Sequence, residues 1–272
     1  MKLDMGQAWN RATELVSANK DVVGIVAGVF FFLPLFALSV LVPESTSPPA
    51  ADPEDFDAVM AALAAVYQTY WWAFLLIMAL QMVGTLALYA LLTDRARPTV
   101  GEALARGAKG FPSFIAASLL SGIAAIATGA LPFSFAAALQ MPAIAALGLI
   151  SLPVALYIVI KFALAGPVIG IEQTLNPLTA LSRSWQLTKG NSLRLFAFFA
   201  LLTIVYFVIN LLVTVIAGVI FAALGPQVAL IGNALVANLI GAIVTTLYVA
   251  ILVGVYNQFA GSSPEAISET FE

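Results

Sequence analysis

The sequence predicts an all-α integral membrane protein with six transmembrane helices, forming a single membrane domain over residues 1–272. Hydrophobic residues make up 62% of its 272 residues, and charged residues make up 9%. Soluble domains carry about 25% charged residues, so this chain could not cover a soluble surface. Six apolar stretches are each long enough to cross a bilayer core of about 30 Å as a helix. These observations exclude the soluble, disordered and collagen-like classes.

The first apolar stretch is predicted to be a transmembrane span rather than a secretory signal peptide. The segment before it carries Asp4, Glu14 and Asp21, and the stretch is longer than the ~7–15 residues of a signal-peptide core. The six predicted spans are 22–42, 67–92, 111–138, 143–171, 193–224 and 228–259.

The segment between the first two spans differs from the other connections. Residues 43–53 are rich in proline and predict an irregular external loop, and residues 55–66 predict a helix on the surface or extending the second span. Aromatic residues then mark the outer membrane interface, at Tyr67, Tyr70, Trp71 and Trp72. Prolines within or near spans predict kinks or breaks, at Pro34, Pro132 and Pro153.

The basic residues predict the orientation of the chain in the membrane. All eleven lie before span 1, between spans 2 and 3, between spans 4 and 5, or near the end of span 4. Residues 43–66 carry no Lys or Arg but carry acidic residues. Because basic loops stay in the cytoplasm, both termini are predicted to be cytoplasmic.

The three basic segments share a pattern that predicts a threefold repeat. Each has a helix-capping residue, an alanine four residues later and an arginine seven residues later. The sets are Asp4, Ala8 and Arg11; Thr99, Ala103 and Arg106; and Asn176, Ala180 and Arg183. We interpret each as a cytoplasmic interfacial helix followed by a transmembrane hairpin, although ordinary cytoplasmic loops also carry arginines and caps. The predicted units are 1–97, 98–175 and 176–260, followed by a short acidic tail at 261–272.

The absence of two residue types excludes several chemistries. The sequence contains no Cys and no His, so a disulfide framework, a cysteine zinc site and a Ser-His-Asp triad are excluded. It also contains no glycine-rich phosphate loop, carboxylate cluster for a metal or basic nucleic-acid patch. We therefore expect no cofactor, no metal and no nucleic-acid partner.

Two runs of residues resemble a known family. AGPVIGIE at 165–172 leads into NPLTALSRSWQLTKGN at 176–191. Together they resemble the signature of the glycerophosphoryl diester phosphodiesterase membrane-domain family, including its stand-alone, YciC-like inner-membrane branch. PTVGEAL at 98–104 and the pair Ala8-Trp9 are also similar to that family.

The resemblance implies residence in a bacterial inner membrane. In some members the membrane domain is fused to a soluble phosphodiesterase, which uses His and paired acids on a barrel of about 250 residues. Since this chain has no His, the resemblance implies the membrane part alone, without catalytic residues.

One group of candidate residues is predicted to contact lipid headgroups or the membrane interface. Lys161 either contacts a headgroup or extends its long stem to the cytoplasmic surface. A direct Lys161–Glu172 pair would require a strong kink at Gly166-Pro167. Three residues of the 176–191 run are either lipid contacts or an ordinary interfacial anchor, namely Arg183, Trp185 and Lys189. The full group is Arg11, Arg106, Lys161, Glu172, Arg183, Trp185 and Lys189.

A second group forms polar faces on spans 2, 5 and 6. These residues either line a track for a substrate or allow helices to pack closely and hydrogen-bond. They are Gln81, Asn210, Thr214, Asn238 and Thr245.

We expect a non-enzymatic membrane protein that interacts with membrane lipids, with another membrane protein or with itself. The alternative is a small-molecule or lipid transporter or channel, which predicts a mid-membrane cavity lined by Asn210, Asn238 and Thr245. An enzyme acting on lipid headgroups would instead require Lys161, Glu172 and Arg183 in one pocket.

Overall fold

The computed structural model describes residues 2–45, 56–93, 98–139 and 142–261, with side chains at all of these except 132–133, 135–139 and 142–150. The predicted helical membrane fold with six spans is confirmed. The helices long and apolar enough to cross a membrane are Lys20–Leu41, Phe56–Leu91, Val100–Leu131, Ser151–Glu172, Ser192–Ala223 and Pro226–Ala260.

The N-terminal region contains a short helix and a span that is not a regular α-helix. Its helices are α1 (Met5–Ala18), α2 (Lys20–Ala27) and α3 (Leu33–Leu41). Between α2 and α3 the residues Gly28–Phe32 form a π-helical turn, and Pro34 lies two residues after its end. Because proline removes a backbone N–H and crowds the preceding turn, a local π adjustment accommodates it. A 3₁₀ turn, Pro43–Ser45, follows α3.

The rest of the chain contains seven helices in the described residues. They are α4 (Phe56–Leu91), α5 (Val100–Leu139), α6 (Pro142–Phe162), α7 (Ala165–Glu172), α8 (Pro177–Leu187), α9 (Ser192–Ala223) and α10 (Pro226–Ala260). The predicted helix at 55–66 is the start of α4, which kinks at Tyr70. The predicted fourth span is divided into α6 and α7. The ring of Pro167 would clash with the carbonyl of Ala163 in a continuous helix, so the break falls before α7.

The three predicted caps are confirmed. Asp4 accepts a hydrogen bond from Gln7 N, Thr99 and Glu102 form a reciprocal capping box, and Asn176 accepts from Leu178 N. The alanine four residues after each cap is fully buried, at Ala8, Ala103 and Ala180.

The second capped segment is not a separate interfacial helix. α1 ends before Asn19, and α8 ends at a turn with Gly190 at φ 80°. α5, in contrast, continues from its cap to Leu139, through Gly107, Gly110 and Pro112, none of which ends the helix. Two of the three predicted helices are therefore separate from the spans, and the threefold repeat stays a prediction. Arg95, Arg97, residues 46–55 of the external loop and residues 262–272 of the tail lie outside the described residues.

The buried core lies at one end of the bundle, which we call the basic end. It is formed mainly by α1, α7, α8, the last turns of α4, α6 and α10 and the first turns of α5, and it extends along α2 to Phe31. Helices approach closely here through glycine. A Cβ at Gly254 of α10 would stand 2.8 Å from the carbonyl oxygen of Ala8 in α1, and one at Gly170 of α7 would stand 2.7 Å from Cβ of Tyr89 in α4.

Candidate functional site at the basic end

Lys161 lies in the last turn of α6 with only 2% of its surface exposed. Its ammonium nitrogen is 5.5 Å from the ring centre of Tyr157 and 5.2 Å from that of Trp185. Both distances fall within the range of a cation–π interaction. Among the described residues no carboxylate forms an ion pair with this ammonium. Lys161 is thus covered by α8 and does not extend to the surface.

Hydrogen bonds from α8 hold the break between α6 and α7. The Ser184 hydroxyl donates to the Lys161 carbonyl at 2.7 Å and accepts from the Leu164 N–H at 3.1 Å. Thr188 donates to the same carbonyl at 3.4 Å. Because the break removes the helical partners of these two backbone groups, the buried Ser184 satisfies both of them. Its hydroxyl therefore fixes α8 above the lysine.

Glu172, at the end of α7, joins three helices. One of its carboxylate oxygens accepts from the Tyr256 hydroxyl of α10 at 2.7 Å and from Arg183 Nε of α8 at 3.3 Å. Gln173 follows with φ 55°, which turns the chain toward α8. The direct Lys161–Glu172 ion pair, which would have required a strong kink at Gly166-Pro167, is not formed. Glu172 binds Arg183 and Tyr256 instead.

A surface groove of about 580 Å³ lies beside this ion pair. Glu172 and Arg183 line it together with Thr179 and Ser182 of α8, but Lys161 is not in its lining. The structure thus brings together two of the three residues that a headgroup enzyme would require and separates the third.

The other predicted contacts also lie at the basic end. Arg11 pairs with Glu14 at 3.4 Å and lines a second groove of about 580 Å³, between α1 and the start of α5. Arg106 is half-buried in α5, and Lys189 is exposed just after α8. All seven residues of the predicted group therefore lie at the basic end.

The N-terminal residues are fastened to the same end. Leu3 N donates to the Asn191 side chain at 2.9 Å, and Arg194 donates to the Leu3 carbonyl at 3.4 Å. Asp4 and Gln258 exchange two backbone–side-chain hydrogen bonds of 3.2 and 3.0 Å. These bonds fix α1 against the end of α10.

The predicted polar faces are not brought into one site. Asn238 donates to the Ser39 hydroxyl at 3.1 Å and lines a groove of about 410 Å³ at the opposite end, with Asn233. Asn210 and Thr245 are partly buried and do not line that groove. Gln81 is likewise partly buried, and Thr214 is exposed.

The fold and these contacts define a multi-pass helical membrane domain whose interhelical polar bonds are concentrated at one end. Residues 133–269 match the family described as the membrane domain of glycerophosphoryl diester phosphodiesterase, and the chain belongs to this family. The match includes residues 165–191, which carry the resemblance noted above, whereas Ala8-Trp9 and 98–104 lie outside it. No curated protein and no solved structure matches the chain.

Proposed function

We propose that this protein is a non-enzymatic component of a bacterial inner membrane that binds anionic phospholipids at its basic end. The basic end faces the cytoplasm in this proposal, because basic residues near spans are retained on that side. Both termini are then cytoplasmic. Interaction with another membrane protein or a second copy stays a prediction.

The observation that carries the proposal is the division of α8 into a buried and an exposed face. Its buried residues are Ala180, Leu181, Ser184 and Leu187. Trp185 is 38% exposed, and Lys189 follows the helix on the surface. A helix that exposes tryptophan and cations beside a span suits the headgroup region, where Trp sits at the interface and cations attract anionic lipid.

α1 has the same division on the other side of the basic end. It buries Ala8, Ala12 and Leu15, exposes Trp9, and carries the half-buried Arg11, which pairs with Glu14. Two amphipathic helices thus present a tryptophan and a cation at one membrane interface, which supports a lipid-binding surface rather than a single anchor.

The state of Glu172 favours binding over catalysis. A general base must be available to the proton that it removes. Glu172 instead accepts hydrogen bonds from Arg183 and Tyr256, which hold it as a structural ion-pair partner.

Lipid enrichment in the purified protein tests the proposal. Wild type and the double variant Arg11→Gln/Lys189→Gln would be equilibrated with vesicles of phosphatidylglycerol and phosphatidylcholine, and bound lipid would be counted after extraction. Since each surface cation contributes about 1 kcal/mol, the double variant, which loses two, should lose about thirtyfold in phosphatidylglycerol enrichment. Glu44→Gln, on the exposed turn after α3, should change nothing. Equal amounts of the two lipids on wild type would refute the proposal.

One observation favours transport as a second candidate function. The Asn233 side-chain oxygen, in the groove at the opposite end, is buried and has no hydrogen-bond partner among the described residues. A transported polar molecule could supply the missing donor. Flux of solute or lipid across liposomes that is abolished by Asn233→Leu would support this function, and absence of flux would exclude it.

A further inference from the structure

We propose that Lys161 and the groove between α6 and α9 form one site for a single anionic phospholipid. This inference rests on the proposed lipid binding and assigns it to specific residues. It differs from the exposed headgroup surface of α1 and α8, because its cation is buried and its groove faces the membrane.

The groove has the chemistry of an acyl-chain site. Its volume is about 540 Å³, and α6 contributes most of its apolar wall. α9 closes the other side with Leu193 and Phe196. The wall residues from α6 are Leu152, Pro153, Leu156, Tyr157 and Ile160. Apart from Tyr157 and Ser192, such a lining is apolar and suits a hydrocarbon chain.

The charge of Lys161, which contacts the groove residue Tyr157 without lining the groove itself, selects the headgroup. Buried charges in proteins are normally paired, but Lys161 has two aromatic rings and no carboxylate among the described residues. Tyr157 connects the two features, since its ring contacts the ammonium and also lines the groove. Ser192 also lines the groove, where its hydroxyl donates to the Thr188 carbonyl at 3.2 Å. A lipid phosphate beside Tyr157 and Ser192 would place its negative charge next to the unpaired ammonium.

Native mass spectrometry with defined lipids tests the site. Wild type in detergent would be titrated with phosphatidylglycerol, phosphatidylcholine or inorganic phosphate. We expect one phosphatidylglycerol per chain to be retained, with about fivefold to tenfold preference over phosphatidylcholine. This is the preference that the charge of one cation provides. Inorganic phosphate should not compete, because it lacks the chain that fills the groove.

Two variants address the two halves of the site. Lys161→Met removes the charge and should abolish the preference between the two lipids, whereas Lys109→Met, an exposed cation of α5, should keep it. Leu152→Trp fills the groove and should weaken both lipids about tenfold. Leu201→Trp, on an exposed position of α9 outside the groove, should keep both affinities. If Lys161→Met does not fold, Leu152→Trp tests the site by itself. Leu152 is 52% exposed, so its replacement leaves the core intact.

The outcomes separate this site from the broader function. If Lys161→Met or Leu152→Trp still retains one phosphatidylglycerol in preference to phosphatidylcholine, the site is overturned. In that case a loss of phosphatidylglycerol enrichment in Arg11→Gln/Lys189→Gln would still support lipid binding at the surface. Competition by inorganic phosphate overturns the acyl-chain argument. Lack of any lipid preference in wild type overturns the site and the proposed function together.

Discussion

The last turns of α10 and the whole of α9 have similar apolar sequences but opposite surroundings. Every residue of α10 from 249 to 256 is buried. α9 spans 32 residues, of which Leu195, Phe198 and Ala217 are buried. The first segment packs against α1, α4 and α7, whereas the second leaves most of its side chains exposed on the surface of the domain. A helix that is hydrophobic on all sides can therefore face protein or lipid.

Close packing at the basic end depends on small residues and on polar bonds. Glycines bring α1 and α10, and α4 and α7, to short distances, and the buried hydroxyl of Ser184 joins α8 to the α6–α7 break. In lipid the hydrophobic effect does not drive helices together, so such contacts decide which helices associate. The predictions below test this contrast between the packed basic end and the exposed α9.

The largest expected effect comes from deleting the same side chain in the two regions. Leu252→Ala, at 2% exposure in α10, should lower the free energy of unfolding by about 2 kcal/mol or more, because it leaves a cavity. Leu212→Ala, at 57% exposure in α9, should change it little, since lipid fills the space. Thermal unfolding in one detergent would measure both variants. Equal losses would contradict the contrast.

The next effect concerns the helix contact at Gly254. Gly254→Ala would place a methyl group 2.8 Å from the Ala8 carbonyl oxygen and should destabilise the protein by about 1–3 kcal/mol. Gly241→Ala on the same helix meets no atom within 4 Å and is the matched control. Unfolding by increasing fractions of a denaturing detergent in a mild detergent would measure the difference in the free energy of unfolding. Equal stability of the two variants would show that α1 does not pack closely on α10.

The six spans could be predicted because their signal is local. Length, apolar composition and capping residues are properties of each segment, so the predicted ends lie close to those of most observed helices. The caps at Asp4, Thr99 and Asn176 were predictable for the same reason. The continuity of α5 was not, since a cap marks where a helix starts but not where it stops.

The contacts of the site required the tertiary structure. Lys161 and Glu172 could be singled out because charges are rare in spans. Tyr256 and Ser184 could not, because nothing in their local sequence identifies the carboxylate and the helix break that they bind. Likewise, Trp185 was predicted as an interfacial residue, but its contact with Lys161 depends on how α8 folds over α6.

A smaller effect is expected for the hydroxyl that holds the helix break. Ser184→Ala leaves the Leu164 N–H without its partner and should cost about 1–2 kcal/mol. It should also increase the quenching of Trp185 fluorescence by a water-soluble quencher, because α8 would separate from α6. Ser182→Ala, exposed on the same helix, is the control. Unchanged quenching in Ser184→Ala would show that other contacts fix α8.

The smallest effect is expected at the ion pair between α7 and α8. The side chains of Arg183 and Glu172 are 24% and 27% exposed, so solvent weakens their attraction. Glu172→Gln keeps an oxygen that can accept from Tyr256 and loses the charge, so it should cost about 0.5–1 kcal/mol in low salt. Because exposed charges are screened, the loss should shrink in 1 M salt. Glu14→Gln, which breaks the more exposed pair with Arg11, should have no measurable effect. A salt-independent loss in Glu172→Gln would assign the stabilisation to hydrogen-bond geometry, and the basic end would then be held by packing and neutral bonds alone.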